Sequence, residues 1–180
     1  MWTVSNVEAC QWYEATDVVA LSTAIIEMLS LCNKEDFFGG VDEDEVHAAM
    51  KGKSKVFASK DENGKMQGFL LLQEPTCEDE RAYSREFPDL QPGRAMIVNG
   101  YGVAPNKQET GLATHMLQVA RRYAKRQGYS QFIGTIHPQN LASEKSLQKV
   151  AKIFKKGEVF IHHTRDGRYL LRQQFLLNLI

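Results

Sequence analysis

At Pro105 the chain changes period, and that change limits what it can fold into. Before it, residues 95–103 read Ala-Met-Ile-Val-Asn-Gly-Tyr-Gly-Val, a strand-type run that the proline ends. After it, Leu112, Met116, Val119 or Ala120, and Tyr123 recur at helical spacing, with Gly128 where a helix C-terminal glycine stands. Residues 131–136 then return to a short apolar strand. A strand–helix–strand crossover puts 95–103 and 131–136 in one sheet as a parallel pair. Turn signals at Asp61-Glu62-Asn63-Gly64 and Arg165-Asp166-Gly167 place antiparallel hairpins elsewhere, from 55–59 with 66–73 and from 154–164 with 168–176.

The rest of the pattern completes a β-α-α-β-β-β-α-β-α-β-β order. Residues 2–7 alternate as a first strand, and Val18, Leu21, Ile25, Leu29 and Cys32 form one face of an amphipathic helix. Asp42 with Glu45 opens a short second helix to about Met50, and a later helix runs from Asn140 to about Lys152. Residues 75–93 are polar, hold three prolines and read as an irregular insertion. The expected fold is α/β: a single domain over 1–180, with a mixed, mostly antiparallel sheet flanked by helices. Its motif-bearing core is 95–150. A domain of 180 residues buries about 70% of its unfolded surface, enough for a core without staples.

Several classes fall away. No apolar run reaches the roughly 18 residues of a membrane span. Residues 1–5 show no basic or apolar leader, and Cys10, Cys32 and Cys77 are far apart with no CxxC. The expectation is a cytoplasmic protein without a disulfide scaffold or a metal centre. Net charge is zero, but residues 1–90 carry −10 and residues 91–180 carry +10. Such asymmetry suits an anionic ligand on the second half and a cationic one near the first, or two faces that attract each other. Arg121-Arg122 and Lys125-Arg126 complement a helix C-terminus, which favours the dipole over a nucleic-acid role.

The stretch from Val103 to Ala113 carries the chemistry. A strand turns into a helix whose first residues, Gly111 and Ala113, are small. The first amides of a helix have no internal partner and sit at the positive end of its dipole, so a phosphate or pyrophosphate is a natural occupant. Gly100-Tyr101-Gly102 adds a weakened strand, the mark of a bulge or of a close backbone approach.

Gln108-x-x-Gly111-x-Ala113 resembles the pyrophosphate signature of the GNAT superfamily of N-acetyltransferases. Tyr101-Gly102-Val103-Ala104-Pro105 looks like the end of that family's fourth strand. Asn140-Leu141-Ala142-Ser143, with Leu147 and Lys149, is similar to its second signature. The resemblance implies a splayed parallel pair at 95–103 and 131–136, with acetyl-CoA as co-substrate. It implies that Tyr101, Gly102 and Val103 meet the pantetheine arm and that residues Gln108, Glu109, Thr110, Gly111, Leu112, Ala113 and Thr114 hold the pyrophosphate. Asn140 would reach the pantetheine or thioester, and Ser143 and Lys149 the outer cofactor.

The implied reaction is acetyl transfer to a primary amine by direct attack in a ternary complex, since no cysteine falls near the motifs. The family's Tyr seven residues after the Asn is here Leu147, and no carboxylate base is evident on the two parallel strands. These departures equally suit a non-catalytic acyl-CoA binding or sensing module. For acid–base work the candidates are His137, just past the fifth strand, and Tyr101 as donor to an oxyanion or thiolate. Asn99 and Glu74 are candidate acceptor-binding residues. Alternation puts Ile97, Asn99, Tyr101 and Val103 on one strand face. His162-His163 alternate, so at most one points inward. The acceptor is a small-molecule or peptide amine, and Glu78, Asp79, Glu80, Glu86 and Asp89 form an acidic rim suited to a cationic one. Apolar Phe175-Leu176-Leu177 suggests a homodimer through the last strands.

Overall fold

A computed structural model describes residues 10–13, 18–32, 54–163 and 167–179. Among them, seven strands form one sheet: β1 (Cys10–Tyr13), β2 (Ser54–Lys60), β3 (Met66–Gln73), β4 (Ala95–Val103), β5 (Gln131–Ile136), β6 (Ala151–His163) and β7 (Tyr169–Leu179). Their order is β1-β2-β3-β4-β5-β7-β6. All neighbours are antiparallel except β4 and β5, the expected parallel pair. The expected strand at 2–7 and helix at 42–50 lie outside the described residues.

Among the described residues four α-helices cover the two faces. On one face, α1 (Val18–Ser30) packs Leu21, Ile25 and Met28 onto Val56, Phe69 and Leu71. Beside it, α2 (Cys77–Glu86) seats Tyr83 with Ala95, Ile133 and Leu176. On the other face, α3 (Leu112–Arg126) buries Met116, Leu117, Ala120 and Ala124 against Leu70, Met96, Phe132 and Phe175. There α4 (Leu141–Gln148) contributes Leu147.

Local chemistry sets these elements. The β2–β3 turn is fixed by Asp61, whose Oδ1 accepts from the amides of Asn63 (3.0 Å) and Lys65 (2.9 Å), with Gly64 at φ +78°. The segment expected to be irregular contains α2. Thr76 and Asp79 close a capping box, with Thr76 Oγ1 accepting from the Asp79 amide at 3.1 Å and Asp79 Oδ2 accepting from the Thr76 amide at 2.8 Å. Within the helix only Tyr83 is buried, so no apolar stripe announces it. The later helix is shorter than its pattern: it ends at Gln148, and β6 begins at Ala151, because Val150 dives into the core. Phe175, Leu176 and Leu177 are almost wholly buried inside this chain's own core, so they offer no surface to a second copy.

Gly134 allows β5 to pass close to its neighbours. A Cβ there would stand 2.8 Å from the Val98 carbonyl oxygen and 2.8 Å from the Phe175 ring. Gly134→Ala should lower the free energy of unfolding by about 1–3 kcal/mol through overpacking, read from the urea midpoint.

Candidate acyl-CoA site

The site begins where two strands part. β4 pairs with β5 from Ala95↔Gln131 to Val98↔Gly134, and the ladder stops there. On its other edge β4 continues along β3 to Val103, but Leu72 pairs with Val98 and Leu71 with Gly100. Asn99 is therefore an extra residue, a bulge at the point of separation. The bulge shifts the strand's alternation by one. Tyr101 packs with the Met96 and Val98 cluster, while Ile97 packs with the opposite one. The expectation that Ile97 and Tyr101 share a face is corrected for that reason.

A cleft of about 1280 Å³ occupies the gap. It runs through the sheet, from the ends of α3 and α4 on one face to α1, α2 and the β6–β7 hairpin on the other. The first end is built for an anion. After a short 3-10 turn (Pro105–Lys107), Glu109 at φ +62° and Gly111 at φ +86° bend the chain into α3. The amides of Gln108 and Thr110 are used inside the turn, donating to Pro105 (3.3 Å) and Lys107 (3.4 Å). Among the described residues the amides of Glu109, Gly111, Leu112, Ala113 and Thr114 find no backbone acceptor; the first helical bond is His115 N–H to Gly111 at 2.9 Å. Lys107, Lys145 and Lys149 line the same end. Open amides at a helix N-terminus, with lysines around them, fit a diphosphate.

The second signature folds next to it. Asn140 caps α4, its Oδ1 accepting from the Ser143 amide at 3.1 Å. Tyr101 Oη donates to the Ser143 carbonyl at 2.9 Å and so ties β4 to α4 across the gap. Burial pushes the Tyr101 phenol well up, so it stays a protonated donor. Leu147 is fully buried in the core, so the cleft has no hydroxyl at that position.

Most residues singled out in the sequence line this cleft, and three do not. Thr110 turns its hydroxyl back to the Lys107 carbonyl at 2.7 Å. His137 sits in the turn after β5, where Nδ1 accepts from the Gln139 amide at 3.2 Å, outside the lining of the cleft. Glu74 follows Gln73 by one position and so faces the opposite side of the sheet. There burial, then a hydrogen bond to Glu74, pushes the Tyr129 hydroxyl up to about 12. Asn99 does line the cleft, its Nδ2 donating to Gln73 Oε1 at 3.2 Å.

The acidic rim is corrected too. Glu80 accepts from the Gly93 amide (2.6 Å), Glu86 from the Glu158 amide (2.8 Å), and Asp89 pairs with Lys155 (2.8 Å). Of the five acids, Asp79 alone lines the cleft. Phe160, His162 and Arg172 from the last hairpin complete the far wall, and the sequence reading missed all but the histidine pair. Arg172 inside Leu170-Leu171-Arg172 is the available signal: a charge in an apolar strand, 4% exposed.

Comparison with known proteins gives the family and the fold. The profile described as the Acetyltransferase (GNAT) family matches residues 23–151, so the chain belongs to the GNAT family of acetyltransferases, which use acetyl-CoA. The fold is similar to the ribosomal-protein-S18-alanine N-acetyltransferase of Escherichia coli, at TM-score 0.66 and 16% identity, covering 94% of this chain and 92% of that one. It is similar to an N-acetyltransferase of Staphylococcus aureus Mu50, at TM-score 0.62 and 20% identity, covering 95% and 98%. It also resembles yncA of Salmonella typhimurium, solved with its cofactor acetyl-CoA, at TM-score 0.61 and 18% identity, covering 95% and 93%. No curated protein matches the sequence.

Tyr101→Phe removes the tie to Ser143 and leaves a helical carbonyl one donor short. Unfolding free energy should fall by about 1 kcal/mol, measured by urea denaturation at neutral pH.

Proposed function

We propose that this chain is an N-acetyltransferase moving an acetyl group from acetyl-CoA to a primary amine by direct attack in a ternary complex. The observation that carries the reading is the set of open amides at the start of α3, set at one end of a cleft that crosses the sheet. The five open amides between Glu109 and Thr114, with Lys107 and Lys149 nearby, would hold the diphosphate. Tyr101, Gly102 and Val103 form the unpaired edge of β4 along which the pantetheine would run. Asn140 keeps an amide nitrogen to offer beside it, its oxygen being spent on the cap.

Bound acetyl-CoA supplies the thioester carbonyl that the amine attacks. The chain's part is to hold the two reactants in one gap, which replaces an encounter in solution by a fixed approach. The single hydroxyl proton of Tyr101 is donated to the Ser143 carbonyl, so Tyr101 would serve developing negative charge on oxygen or sulfur only by exchanging that acceptor for it. The acceptor would reach the gap from the face of α1 and α2, beside Asn99, Gln73 and Thr135.

Gly111→Glu puts a carboxylate and a strained left-handed backbone at the diphosphate position. Affinity for coenzyme A should fall by about 100-fold or more, as one like-charge contact costs several kcal/mol, measured by calorimetry. Unchanged affinity refutes the assignment of the loop. Mixing the wild-type protein with acetyl-CoA and a panel of primary amines should release free thiol. Cofactor binding with no thiol release on any amine would instead identify a non-catalytic acyl-CoA module.

A further inference from the structure

We infer that His162 accepts the proton that the amine sheds as it is acetylated, a role that rests on the acetyltransferase reading above. The acceptor side of the cleft is narrow in its choice of groups. In the last hairpin Phe160 pairs with Arg172 and His162 with Leu170, so these four side chains share one face of the ribbon. That face lines the cleft at Phe160, His162 and Arg172. His163 points the other way, stacked on Tyr169 with ring centroids 4.7 Å apart.

Among the described residues, the other titratable groups of the cleft lie at its cofactor end, are buried, or are already hydrogen-bonded. Lys107, Lys145 and Lys149 lie on the cofactor side. Burial holds the Cys32 thiol and the Tyr83 and Tyr101 phenols in their protonated forms. Asp79 Oδ2 is engaged by the amide and hydroxyl of Thr76, at 2.8 and 2.7 Å. Glu109 belongs to the loop that opens α3.

His162 is different. Partial desolvation, then the Arg172 charge and then His163, hold its imidazole below the ordinary value of about 6.5. It is therefore neutral near pH 7 and can take a proton. Among the described residues, the charges that bear on it are Arg172 on β7 and, from the other face of its own strand, His163; Asp79 and Tyr83 of α2 line the same cleft.

The step balances. The amine nitrogen forms a bond to the thioester carbonyl carbon, and the carbon–sulfur bond breaks with its electron pair on sulfur. The nitrogen's surplus proton goes to His162, directly or through one water, and the thiolate takes a proton from solvent.

The test uses the full chain, an amine that the wild type acetylates, and His162→Gln, with His163→Gln as control. His162→Gln should lower kcat about 100-fold, the ordinary contribution of a positioned base, with the coenzyme A dissociation constant and the circular dichroism melt unchanged. The wild-type rate should fall as pH drops through the imidazole pKa, below about 6.5, and His162→Gln should lack that limb. His163→Gln should behave as wild type. In the free protein, an NMR titration of the His162 ring should give a midpoint below about 6.5. Equal kcat and pH profiles for wild type and His162→Gln, or a ring midpoint above about 7, overturn the role of His162 while leaving acetyl transfer standing. A wild type that acetylates no amine overturns both.

Discussion

The structure turns on a ladder that stops. Parallel strands β4 and β5 share pairing over four residues, and beyond Val98 and Gly134 each follows a different partner. Backbone groups facing the gap must find water or a ligand, because an unmet polar group away from water costs free energy. A sheet that would otherwise be closed thus holds a polar slot through its centre. The core on either side keeps the slot open: Met96, Val98, Phe132 and Phe175 pack on one face and Ala95, Ile133 and Leu176 on the other.

Charge follows the same division. The half of the chain with the positive balance supplies the loop, the open amides and the lysines at the α3 end of the cleft. Among the described residues the acidic half forms no cation-binding rim. Its carboxylates in and after α2 cap a helix, hold the Gly93 amide and fasten the β6 edge through Glu158 and Lys155. Among the described residues, the acids in and after α2 are therefore spent mostly on joining segments, while Lys107, Lys145 and Lys149 line the α3 end of the cleft.

The crossover and both signatures were legible because their cues are local. Pro105 ends a strand, Gly111 permits φ +86°, and Asn140 caps a helix whatever lies around it. What escaped depends on long-range geometry. A single extra residue at Asn99 reverses the face of Tyr101, and no composition rule marks which of 99–102 carries it. Glu74 and Gln73 differ by one position yet face opposite sides of the sheet. Arg172 reaches the cleft only because β7 runs beside β5 and past its end. His137 is close to the motif in sequence, but its turn keeps one ring nitrogen for itself. His162 is distant in sequence and is brought back by the hairpin.

Tyr101 joins the two halves of the slot. Its hydroxyl reaches from the unpaired end of β4 to the first turn of α4, the same turn that Asn140 caps. A movement of that helix away from the sheet would break the Tyr101 bond and carry the Asn140 cap with it, so the width of the opening and the aim of the Asn140 amide vary as one coordinate. The doorway and its latch are set by a single phenol.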